Sequence, residues 1–168
     1  MRFSYWGCLF SHSLCRVRVF ARLISVETHE SVNAMAGAYA EKAIATAREF
    51  NAQLDYSENS LMEVEAILSQ CAGRTSAGGP PSEDVGEMCK MWGSYLGEVV
   101  RRRFGGEWSI ETYPGKQFAT LALTVGANKL YPTMKIDRRL TQGESENVWS
   151  FYKMVKAKLE AAPGARIQ

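Results

Sequence analysis

The chain has 168 residues, 46% of them apolar and 23% charged, and carries a net charge of +2. That length suits one globular domain with an ordinary core, and so small a net charge excludes general attraction to nucleic acid or to an anionic membrane. Its four cysteines have no C-x-x-C spacing, which excludes a zinc knuckle and gives no disulfide framework.

Residues 1–34 show neither helical nor strand periodicity over a useful length. Their apolar run Tyr5–Phe10 is too short to span a bilayer or to form a convincing signal-peptide core. The reading is a non-domain N-terminal extension, with translation beginning at Met35. A native tail and an arginine- and serine-rich transit peptide are the alternatives. A single domain is then expected over residues 35–162, with 163–168 as a C-terminal tail. Both histidines, His12 and His29, precede Met35. The expected domain thereby lacks the commonest general base and the commonest metal ligand.

From Ala36 the alanines Ala36, Ala40, Ala43 and Ala47 recur with Phe50 at helical spacing, which predicts a helix to Asn51. Capping residues fill the connection Leu54–Ser60. Ser57 is placed to cap a helix from Glu58, and Ser60 with Glu63 forms a capping-box pattern. That second helix runs to about Gln70 and buries Leu61, Val64 and Leu68. Residues 72–82, with three glycines and Pro80-Pro81, read as a loop.

The third helix, Glu83–Phe104, places Val85, Met88, Cys89, Trp92, Leu96, Val99 and Val100 in one stripe. Gly86, Gly93 and Gly97 share a flank of it. Glycine inside a helix costs about 1 kcal/mol relative to alanine, so three on one flank predict close approach to the backbone there. Arg101, Arg102 and Arg103 oppose the helix dipole in the last turn, and Gly105-Gly106 supplies the stop. Glu107–Tyr113 and Gln117–Val125 alternate and predict a hairpin around Pro114-Gly115, in a type II turn. A short third strand, Lys129–Tyr131, follows. Pro132 opens a short helix with Lys135, Arg138 and Arg139 on its exposed side, and Gly143 ends it. The last helix, Glu144–Glu160, buries Val148, Phe151, Tyr152, Val155 and Leu159, with Glu144 and Glu146 stabilising its start. This order has no β-α-β alternation. The expected fold class is α+β, with four to five helices packed on a small antiparallel sheet built around a β-hairpin.

Charge is divided along the chain. Residues 35–85 hold three basic and eight acidic side chains, whereas residues 86–168 hold thirteen basic and eight acidic. An acidic helical layer against a basic one explains this, and a basic ligand-facing surface is the alternative.

Three segments together resemble a bacterial domain of unknown function that recurs in small uncharacterised proteins. They are Leu54-Asp55-Tyr56-Ser57 with Ser60-Leu61; Gly93–Glu98 through Gly105-Gly106-Glu107-Trp108; and Pro132 through Lys135, Arg138-Arg139 and Gly143. The resemblance covers most of residues 54–152 and implies no activity, cofactor or substrate.

Two constellations are candidate binding sites. Glu98 with Arg101, Arg102 and Trp108 is either a surface salt-bridge cluster beside a core tryptophan or a recognition patch at the helix-to-strand junction. Lys135, Arg138 and Arg139 form either a solvated basic face or an anion contact. Glu107 and Glu111 share a strand face and read as solvent-facing. No serine or threonine has a base beside it in a recognisable motif, and no phosphate loop, dinucleotide fingerprint or RNA-binding aromatic motif occurs. The functional expectation is a non-enzymatic, cytoplasmic protein-interaction domain of accessory, regulatory or immunity-like type. It has a protein partner, no membrane contact, no metal and no cofactor. The alternative is a small anionic ligand or nucleic acid bound by the basic C-terminal half.

Overall fold

Alanine at every third or fourth position leaves a helix face with almost no side-chain bulk, so a second helix can approach closely. The computed structural model uses such a face to dock its first helix. It describes residues 13–75 and 82–161, with side-chain surroundings from 30 to 72 and from 84 to 161. Helix α1 spans Ser13–Ala47 and ends in a 3-10 turn, Arg48–Phe50. Ala36, Ala40, Ala43 and Ala47 are all completely buried, as their spacing predicts.

The boundary expected at residue 35 is not a structural one. Helix α1 runs unbroken through it from Ser13, Val32 packs on the core, and the Asn33 side chain accepts a hydrogen bond from the Trp108 amide at 3.0 Å. The stretch before residue 35 lacks an apolar stripe, but a backbone helix needs no stripe once one end is docked. Residues 1–12, 76–81 and 162–168 lie outside the described residues, and with them most of the predicted loop and the tail.

Helix α2 spans Ser60–Thr75. Ser57 is its cap, its hydroxyl accepting from the Ser60 amide at 3.3 Å. Ser60 turns inward instead of forming the capping box, its hydroxyl donating to the Ser57 carbonyl at 2.6 Å. Helix α3, Ser82–Phe104, is the central element, and every residue from Met91 to Val100 is buried, far more than one stripe. A helix enclosed around its whole circumference has neighbours on all sides. Here they include α1, the hairpin and a fourth helix, α4, Pro132–Gln142.

Strands β1 (Glu107–Thr112), β2 (Ala119–Val125) and β3 (Asn128–Leu130) form an antiparallel sheet in that order. The predicted hairpin has Trp108 opposite Leu123, Ile110 opposite Leu121 and Thr112 opposite Ala119. Its turn has the Lys116 amide donating to the Tyr113 carbonyl at 3.0 Å, with Gly115 at φ +75°, the position where a type II turn requires glycine. The last helix, α5, spans Val148–Glu160, later than predicted. Residues Gly143–Glu146 form a 3-10 turn, and Asn147 caps α5 by accepting from the Ser150 amide at 2.9 Å. Glu144 and Glu146 therefore precede the helix. The architecture is α+β, five helices with a three-stranded antiparallel sheet.

Three ion pairs join the acidic first segment to the basic second one. Glu58 pairs with Arg103 and Lys156 at 2.8 Å each, and Glu65 pairs with Arg139 at 2.6 Å. No helix among the described residues is long and apolar enough to cross a membrane.

Candidate functional site

The motif segments that lie far apart in sequence converge on the C-terminal half of α3. Tyr56 sits at φ +63°, a left-handed conformation that costs a non-glycine residue about 1–2 kcal/mol. Several contacts hold it there. Its amide donates to the Tyr95 hydroxyl at 2.9 Å, and its own hydroxyl donates to Glu41 at 2.7 Å. The two rings stack at 5.0 Å, and the Arg102 guanidinium lies 3.3 Å from the Tyr56 ring centre. Burial, and then the Glu41 carboxylate, push the Tyr56 phenol well above its ordinary range. Buried Ser60 Oγ lies 2.6 Å from Tyr95 Oη and closes the knot.

The first predicted constellation does assemble, but inward. Glu98 is only 2% exposed and Trp108 is fully buried. The Glu98 carboxylate accepts from Trp108 Nε1 at 2.8 Å and from Arg101 Nε and Nη2 at 2.7 and 2.9 Å, with Arg102 Nε at 3.8 Å. Its oxygens are thus occupied within the fold. Glu98 and Trp108 are inside, while the Arg101 and Arg102 side chains are 35% and 51% exposed. The arrangement is a charged strut tying α3 to β1, and a buried charge persists only when paired in this way.

The second constellation divides. Arg139 is 1% exposed, contrary to its expected place on the solvent side of α4. Its Nε donates to Glu65 and its Nη2 to the Ser69 hydroxyl, each at 2.6 Å, while Glu65 also accepts from the Val148 amide at 2.7 Å. Helical spacing alone did not reveal that α2 covers this side of α4. Lys135 and Arg138 do line a shallow cup of about 310 Å³ with Lys129, Tyr113, Tyr131, Glu146 and Phe151. Each of its cations has a partner: Lys135 bonds Glu146, Lys129 bonds Glu111, and Arg138 bonds the Tyr113 hydroxyl. The Lys129 hydrogen bond holds the Glu111 carboxyl below its usual range, and Lys135 does the same to Glu146. Exposed Glu107 and half-buried Glu111 form no carboxylate pair with a shared task.

A larger feature has no counterpart in the predicted site. A groove of about 820 Å³ opens between α1, α3, the hairpin and α4, with Met35, Val85, Cys89, Phe118, Leu121 and Met134 among its apolar lining. Ile110 and Phe118 on its wall are 56% and 44% exposed, unusual for large apolar side chains. Burial pushes the Cys89 thiol up to about 12, so it is a small apolar wall residue and not a nucleophile. The sequence held one signal for this groove, the glycine flank. A Cβ on Gly93 would lie 2.5 Å from Thr133 Cα, and one on Gly97 would collide with the Trp108 ring. Among the described residues, one on Gly86, at the groove, would meet nothing within 4 Å.

Among the described residues no group of three or more His, Cys, Asp or Glu side chains is arranged to hold a metal ion. No protein-family model, curated protein or solved structure matches the chain.

Proposed function

We propose that this chain is a non-enzymatic, cytoplasmic protein-interaction domain, of accessory or regulatory type, whose interaction face is the groove between α1, α3 and the hairpin. The carrying observation is the exposure of Ile110 and Phe118 beside an open groove of about 820 Å³. Contiguous exposed apolar surface costs solubility and marks contact surfaces when polar residues rim it. Lys90 and Lys116 supply that rim.

The test is capture from a lysate of the encoding organism on immobilised protein, beside an Ile110→Asp/Phe118→Asp variant. Both positions are exposed, so the variant is expected to keep the wild-type melting temperature. A partner retained by the wild type and lost by the variant supports the reading. Identical capture by both sinks it.

A second reading, a small anionic ligand in the Lys129–Lys135–Arg138 cup, draws on the convergence of three cations beside Tyr131 and Phe151. It is weaker because a ligand must displace Glu146 and Glu111 first. Phosphate-bearing ligands would bind with steep salt dependence, and binding in the apolar groove would not.

A further inference from the structure

We infer that the element received by the groove is an amphipathic helix of a partner protein with acidic residues along its flanks, gripped between Lys90 and Lys116. This rests on the interaction reading above and names the partner's chemistry. The apolar requirement comes from the sheet. By register, Trp108 and Ile110 share one face with Leu123, Leu121 and Ala119. Trp108, Leu123 and Leu121 are buried, whereas Ile110 and Ala119 are exposed, so the cover over this face stops short of the hairpin tip.

The shape requirement comes from α3. Among the described residues, the glycine flank is filled by Trp108 at Gly97 and by Thr133 at Gly93, and a Cβ on Gly86 meets no neighbour within 4 Å. An occupant can therefore reach the α3 backbone there, as the chain's own elements do farther along. A helix is the element that ordinarily covers an apolar sheet face in a layered fold. Met35 and Met134 on the walls adapt to differing apolar side chains.

The charge requirement comes from the rim. Lys90 stands on α3 and Lys116 on the hairpin turn, both exposed, and neither makes an ion pair or side-chain hydrogen bond among the described residues. Asp137 on α4 is the one acidic residue of the lining. Lys42, Lys129, Lys135 and Lys156, by contrast, are matched by carboxylates within the fold. Two unmatched cations against one acid favour an acidic partner, mainly through recognition and rate of encounter.

The test is selection on the full chain from a displayed peptide library. The library carries leucine at i, i+3, i+4 and i+7 and random residues elsewhere. Selected binders should be helical and enriched in Asp and Glu beside the leucines. Selection on a Lys90→Glu/Lys116→Glu variant should instead enrich Lys and Arg, and the wild-type binders should lose about tenfold in affinity. Gly86→Phe, which fills open space, should abolish binding without lowering the melting temperature. The proposal is overturned by binders without charge preference, by proline-containing extended binders, by no binders, or by binding that survives Gly86→Phe. It is also overturned if dodecanoate takes the groove more tightly than any peptide, or if sedimentation shows a dimer that Gly86→Phe dissolves. In the last case a second copy is the occupant. Lysate capture that depends on Ile110 and Phe118, together with a failed selection, would remove the acidic helix and leave the interaction reading standing.

Discussion

At one end of the glycine flank of α3, Trp108 of the hairpin presses on Gly97 and Thr133 of α4 on Gly93; at the other, a Cβ on Gly86 would meet nothing within 4 Å among the described residues. The two ends use the same device, a helix stripped of side chains on one flank. At the first end the indole of Trp108 fills the gap, with its N–H tied to Glu98 at 2.8 Å. At the other, Ile110, from the same strand face as Trp108, is left 56% exposed. A vacancy of this kind forfeits dispersion contacts that a filled seam collects. The difference teaches that glycine spacing encodes close approach without stating whether the approaching group belongs to the same chain.

The comparison breaks most severely at Glu98. Glu98→Ala leaves the Trp108 N–H and Arg101 unpaired at the closed end. It should cost about 3 kcal/mol, at the low end for a broken buried pair because Arg101 is partly exposed. Denaturant unfolding measures this, and a loss below half that figure would mean that solvent replaces the carboxylate easily. Next comes Gly97→Ala, which forces a methyl against the Trp108 ring and should cost about 1–3 kcal/mol. Asn33→Ala removes the acceptor for the Trp108 amide and should cost about 1 kcal/mol. A chain shortened to begin at Met35 should lose at least as much, because Val32 leaves with Asn33. An unchanged melting temperature for either would show that α1 before Met35 contributes nothing to the domain.

At the open end the sign reverses. Gly86→Ala adds helix propensity with no neighbour to displace, and should stabilise by about 0.5–1 kcal/mol. A destabilised variant would mean that the groove closes in solution. The smallest effect concerns Cys89. Burial raises its thiol to about 12, so at pH 8 the reactive thiolate is scarce. Alkylation followed by mass mapping should find Cys89 slower than a free cysteine, with a rate that climbs as pH rises toward that value. Rapid labelling at pH 8 would indicate an open, wetter groove than the structure shows.

Local order was legible wherever a backbone preference acted alone. The alanine ladder of α1, the Gly105-Gly106 stop, the Pro114-Gly115 turn and the existence of the hairpin all follow from residue type and spacing. The closeness at Gly93 and Gly97 was legible too, although the partners, Thr133 of α4 and Trp108 of β1, were not. The candidate site was less so. Glu98, Arg101, Arg102 and Trp108 do meet, with Glu98 and Trp108 drawn inside and the two arginines left partly exposed. Arg139 looked exposed because α4 alone shows it on a polar face, and only the α2 carboxylate Glu65 brings it inside.

By itself, the sequence determined the elements, because helix propensity, alternation and glycine at positive φ are properties of a few neighbouring residues. Tertiary structure alone decided which polar groups are internal and which apolar ones remain outside. Those outcomes depend on what another segment places opposite: Glu65 opposite Arg139, Trp108 opposite Gly97, and, among the described residues, nothing opposite Gly86. Burial is a property of pairs of surfaces, and one strand of text carries only half of each pair.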